Sequence, residues 1–172
     1  MGIARLHLSM FHVTKAENAA QIWQNGVRQR APNAQWVEQR QEMRQLIDEV
    51  GNETYSDWVN REAAVFLWPT HNGAIRYADR LLEPAIVEVH LSSPNAWCLP
   101  NTELEMFFDS FRDSQTQQQQ DILEENAQKL VDTARPWNGQ RDDRLEVWMQ
   151  PPIPQSAIHR ITDTTGQPLD FE

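Results

Sequence analysis

The chain has one cysteine, two lysines and no long apolar run, and each shortage excludes something. Cys98 alone builds neither a disulfide framework nor a cysteine-based zinc cluster, which fits a reducing compartment. Lys15 and Lys129 stand beside thirteen arginines, and the formal net charge is -10. No broad nucleic-acid-binding face is expected from that balance, because phosphate binding needs clustered cations. No stretch approaches the roughly 20 apolar residues of a membrane helix. The opening residues, Met1 to Arg5 and the alternation after them, lack the apolar core of a secretory leader. The five histidines show no His-x-x-x-His spacing of the kind that holds a metal on a helix. These shortages predict a cytoplasmic protein with no membrane association. A length of 172 residues predicts one domain over 1–172, large enough for its own core.

What is present is a mixture of strands and helices without regular βαβ alternation, the pattern of an α+β fold. Ile3 to Val13 alternates as a strand, with Leu6, Leu8 and Met10 on one face. Thr14-Lys15-Ala16-Glu17 has the form of a capping box and predicts a helix that Gly26 closes. A second helix is expected from Ala34 to Val50, and Thr54 to Asp57 resembles another helix start. Ala64 to Trp68 is an apolar run bounded by Pro69, expected to be a buried strand. Thr70 then opens a helix bearing Ile75, Ala78 and Leu82. Ala85 to Leu91 alternates as a strand, Ser92 to Pro100 reads as a loop, and Thr102 to Glu105 forms a further capping box. Gln117 to Gln120 reads as a solvated linker before a helix from Ile122 to Ala134. Arg144 to Met149 and Ala157 to Thr162 complete the expected strands.

Three places carry side chains suited to chemistry. His12 and Thr14 lie where the first strand meets a helix start; a neutral imidazole there can hold a ribose hydroxyl, and Thr14 can fix the ring or cap the helix. Phe66 in a strand and Tyr77 in the following helix can bring two rings to one cleft, where a flat cationic ring gains stacking and cation–π attraction. Glu146 shares a strand face with Arg144 and Trp148 by period two. A fixed carboxylate there suits a reaction in which positive charge develops on a sugar. Each has a plainer reading: a structural histidine beside an N-cap, core packing by Phe66 and Tyr77, and a strand glutamate paired with Arg144. Glu88 is the rival carboxylate. Trp68, Trp97, Trp137 and Trp148 lie at strand ends or in loops, where they pack or line a groove.

Taken in order, Phe11-His12-Val13-Thr14, Val65 to Tyr77 and Leu145-Glu146-Val147 resemble the His-Tyr-Glu pattern of the ADP-ribosyltransferase superfamily. The run Pro151 to Ile158 resembles the ending of its small members, the tRNA 2′-phosphotransferases among them. The resemblance implies two small antiparallel or mixed sheets forming an NAD cleft, with the segments 34–60 and 101–134 as helical insertions. It implies NAD as substrate, Glu146 as the catalytic carboxylate, and His12, Val13, Thr14, Phe66 and Tyr77 as cofactor-binding residues. Val13 replaces a glycine common in the polymerase branch, and the Ser-x-Ser segment of the arginine-modifying toxins is missing. The implied reaction is ADP-ribose transfer to an acceptor, with a protein or small molecule favoured by the acidic charge. Removal of an RNA 2′-phosphate is the first alternative and would draw on Arg28, Arg30, Arg61 and Arg76. A non-catalytic binding or inhibitor domain on the same fold is the second.

Overall fold

In the computed structural model, residues 8–28, 45–46, 65–91, 96–113, 116–149 and 152–171 are described. They form seven strands and four α-helices in the order β1 (Leu8–Lys15), α1 (Ala19–Asn25), β2 (Val65–Leu67), α2 (His71–Ala78), β3 (Pro84–Leu91), β4 (Ala96–Pro100), α3 (Asn101–Asp113), α4 (Gln117–Thr133), β5 (Arg135–Pro136), β6 (Leu145–Met149) and β7 (Ile158–Thr162). The helices expected around 34–50 and 54–57 lie outside the described residues, except that Gln45 and Leu46 are helical.

The strands make two small sheets, ordered β1-β3-β7 and β2-β6-β4-β5, and every pairing is antiparallel. Among the described residues one bridge joins the sheets. Phe11 and Trp68 exchange two backbone hydrogen bonds, Phe11 N to Trp68 O at 2.9 Å and Trp68 N to Phe11 O at 2.8 Å. Beyond this bridge β1 and β2 make no further ladder pairs among the described residues.

Period two divides the buried side chains between two faces. Met10, Val87 and Val89 of the first sheet and Val65, Leu67, Cys98 and Val147 of the second enter the main core, with Ala19, Val27, Ile153 and Ile161. The opposite face of the second sheet carries Leu99 and Trp148. They are packed with Leu104 and Phe107 of α3 and with Leu123, Ala127 and Leu130 of α4. A third cluster sets Val13 and Ile86 against Trp68 and against Ala74 and Ala78 of α2. Fully burying a large apolar side chain such as Phe107 contributes about 1.5–3 kcal/mol, so these contacts dominate local stability.

Helix ends depart from the sequence reading in instructive ways. Thr70 does cap α2, its hydroxyl accepting from Gly73 N at 3.1 Å. Thr14 does not cap anything: β1 runs on to Lys15, which pairs with Pro84, and the ladder holds Thr14 extended. Its hydroxyl accepts instead from Asn18 Nδ2 at 3.3 Å. The glutamines 117–120 are the first turn of α4 rather than a linker. Thr116 and Gln119 form a reciprocal cap there, Gln119 N to Thr116 Oγ1 at 3.2 Å and Thr116 N to Gln119 Oε1 at 2.9 Å. Likewise α3 starts at Asn101, ahead of the expected Thr102 cap, its backbone N–H donating to Arg144 O at 2.7 Å. Leu82, expected on the buried stripe of α2, lies beyond that helix and is exposed.

Gly26 closes α1 with a φ of +78°, a conformation that L side chains rarely adopt. A Cβ at this position would lie 2.2 Å from Ile153 O. The close approach lets Val27 and Ile153 exchange backbone hydrogen bonds of 2.9 Å, which dock α1 onto the approach to β7.

Candidate functional site at the sheet junction

The expected site residues come from three distant parts of the chain, and most of them meet at the junction. His12 follows Phe11, the residue that bridges to Trp68. Where β1 and β2 part, the His12 ring fills the place of a backbone donor, with Nδ1 2.9 Å from Phe66 O. A carbonyl oxygen only accepts, so Nδ1 carries the proton and Nε2 the lone pair. Burial lowers the His12 pKa below the ordinary imidazole value and the Phe66 carbonyl only partly opposes this, which keeps the ring neutral.

Phe66 continues the chain of contacts. Its ring meets that of Trp148 edge-on at 5.3 Å, and the two residues are directly opposed in the β2–β6 ladder. Trp148 Nε1 in turn donates to Glu146 Oε1 at 2.9 Å, two residues away on the same strand face. Glu146 is only 5% exposed. The face it shares with Trp148 is the one that α3 and α4 cover. The expected pairing of Glu146 with Arg144 is replaced: Arg144 grips Asp142, with Nη2 to Oδ2 at 3.1 Å.

Tyr77 stacks on Trp68, with ring centroids 4.6 Å apart and planes 28° from parallel. It keeps 37% of its surface exposed, whereas Trp68 beneath it is buried. The helix that carries Tyr77 is pinned at its start, where Thr70 Oγ1 donates to Asp143 Oδ1 at 2.6 Å. Gly73 permits this fit, since a Cβ there would lie 3.0 Å from Asp143 O and 3.1 Å from Trp68 Cδ1.

Four of the six expected residues, His12, Val13, Phe66 and Tyr77, thus surround the Phe11–Trp68 bridge. Glu146 lies one ring further out. His12 and Glu146 do not share a face: alternation sends His12 with Met10 towards the main core, and Glu146 with Trp148 towards the helical hairpin. Phe66 stands between them, its carbonyl serving one and its ring approaching the indole that serves the other. Val13 is buried against α2 and paired with Ile86. Thr14 turns to Asn18 and away from the junction's aromatic side. Of the arginines, Arg28 is exposed in the loop after α1 and Arg76 is exposed on α2, and Arg30 and Arg61 lie outside the described residues.

Of the two roles open to Trp68 and Trp148 in the sequence, packing and lining a groove, both take the packing one and are buried. The Trp148–Glu146 bond follows from their shared strand face, because two residues apart on a strand means one face. Nothing in the sequence announced the Thr70–Asp143 bond, which spans 73 positions. No family model, curated protein or solved structure matches the chain. The junction is therefore read from its own residues.

Proposed function

We propose that this domain binds NAD at the sheet junction and transfers ADP-ribose to an acceptor, a protein or small molecule in keeping with the acidic charge. One observation carries the reading: segments separated by more than a hundred residues converge on the Phe11–Trp68 bridge and link His12, Phe66, Trp148 and Glu146 in one chain of contacts. Neutral His12 offers the Nε2 lone pair to a ribose hydroxyl. The exposed Tyr77 ring, backed by Trp68, gives a cationic nicotinamide an aromatic surface. Glu146 is the carboxylate assigned to the positive charge that develops on the ribose as nicotinamide leaves; lying on the opposite face under α3 and α4, it meets the ribose only when that cover moves aside.

The test is nicotinamide release from NAD by the wild type and by Glu146→Gln. A loss on the order of 10²-fold in the variant, with NAD binding retained, supports the reading, that being the usual effect of removing one preorganised stabilising group. No release from the wild type together with no NAD-induced rise in Tm overturns it. A second reading, a non-catalytic binding domain, draws on the burial of Glu146 and its bond from Trp148, which equally describe a carboxylate placed to satisfy a core indole. NAD binding without turnover would select it.

A further inference from the structure

The outer face of the first sheet carries a cluster remote from the NAD reading and independent of it. Glu88 and His90 lie two apart on β3 and share the outward face, opposite the core residues Val87 and Val89. The neighbouring strand β7 breaks register beside them: Glu88 pairs with Arg160 but Val89 pairs with Ile158, leaving His159 as an extra residue. Ile158 and Ile161 still pack against the core, so His159 and Arg160 both turn outward. A bulge of this kind re-aims a side chain, and such features are maintained where they serve a site. Here it lays the His159 ring on that of His90, centroids 4.3 Å apart and planes 15° from parallel.

The resulting group, Glu88, His90 and His159, has one ligand atom from each residue within 4.8 Å of the other two. His90 Nε2 stands 3.2 Å from Glu88 Oε1. An imidazole nitrogen and a carboxylate oxygen at that separation are bridged either by a proton or by a metal ion. Bond lengths of about 2.0–2.1 Å at tetrahedral zinc place neighbouring ligand atoms about 3.3 Å apart, so this pair already has the required edge. His159 is exposed and closes the remaining distance by side-chain rotation. Arg160 Nε donates to Glu88 Oε2 at 2.5 Å, fixing the carboxylate so that Oε1 is the oxygen presented to His90. Outer contacts of this sort orient metal ligands.

We propose that Glu88, His90 and His159 form a three-ligand site for a divalent transition metal of the zinc type, with an open fourth position. Two imidazoles and one carboxylate select zinc, nickel or copper over magnesium and calcium, which prefer all-oxygen shells. The ion would tie the edge strand β7 to β3 at the point where the bulge interrupts their ladder.

The experiment is calorimetric titration of the EDTA-stripped full chain with Zn²⁺, with Mg²⁺ as comparison and Tm measured alongside. The expected result is one Zn²⁺ bound per chain and a rise in Tm of roughly 5 °C at a hundredfold excess over Kd. His90→Ala and His159→Ala should each weaken binding by at least about tenfold, since even loss of an outer partner does that much. His71→Ala, on α2, should leave affinity unchanged. Because His159 is exposed, its substitution remains informative if the His90 variant folds poorly. Absence of Zn²⁺ binding, or binding that survives the loss of both histidines, overturns the site.

Discussion

Two strand glutamates that alternate outward in the same way meet opposite fates. Glu146 on β6 lies under the α3–α4 hairpin and is 5% exposed, its carboxylate accepting from Trp148. Glu88 on β3, its side chain 12% exposed, is held instead by a guanidinium and an imidazole, those of Arg160 and His90. Alternation fixes which face a side chain takes. It does not say what later segment of the chain will cover that face, and the covering decides the chemistry. A carboxylate covered by packed helices acts on charge strongly; one closer to solvent acts by pairing with its neighbours.

The comparison is broken most severely by removing the cover. Phe107 is fully buried at the centre of the hairpin's contact with the sheet, and Phe107→Ala should cost about 3–5 kcal/mol in urea unfolding. Next in size is Glu146→Ala, which removes the acceptor from a buried indole N–H and should cost about 1–3 kcal/mol. Glu146→Gln keeps a carbonyl acceptor and should cost less than the alanine change by the same measurement. A milder effect is expected from His12, whose folded pKa lies below its unfolded value. Its contribution is fully present above about pH 6.5 and is lost as pH falls through the folded pKa, because the unfolded chain binds the proton first. In His12→Gln the decline of Tm on acidification below about pH 6.5 should therefore be shallower than in the wild type.

The smallest effect belongs to Glu88, the half-buried partner of the comparison. Burial opposes ionisation of Glu88, but hydrogen bonds from His90 and Arg160 outweigh it and hold its pKa below the usual carboxylate value. Its contribution is thus present above about pH 4.3 and is lost as pH falls through the depressed folded pKa. Glu88→Gln should cost less than about 1 kcal/mol at neutral pH and flatten the acid side of the Tm profile, with high salt shrinking the difference.

Much of the architecture was legible because alternation and caps are local signals. The strands at 65–67, 84–91, 145–149 and 158–162, the Thr70 cap and the Gly26 stop all follow from residues within a few positions of one another. The misreadings are places where a distant partner overrides the local signal. Thr14 looks like a cap, yet pairing of β1 with β3 keeps it in a strand. Ala96 to Pro100 lies between prolines and reads as a loop, yet it becomes a strand by pairing with β6 and burying Cys98 and Leu99. The candidate site was legible only as a set of residues, His12, Phe66, Tyr77 and Glu146 in that order. That His12 would bond the Phe66 carbonyl, and that Glu146 would sit on the other face, depends on where two sheets part. The β7 bulge left no local mark at all, since His159-Arg160 is an unremarkable pair until the ladder slips.

The chain alternates between the sheets: β1 belongs to the first, β2 to the second, β3 to the first again, β4 to β6 to the second and β7 to the first. Neither sheet can therefore be assembled from one contiguous stretch of polypeptide. A terminal deletion that removes β7 strips an edge from the sheet whose founding strand is β1, at the opposite end of the sequence. Such interleaving places loop closure ahead of pairing, which slows folding relative to a protein of local contacts. It also means that β3 and β6 must both be in place before the Phe11–Trp68 seam has fixed strands on either side, so a fragment cut anywhere between residues 15 and 145 should lose the junction whole rather than retain half of it.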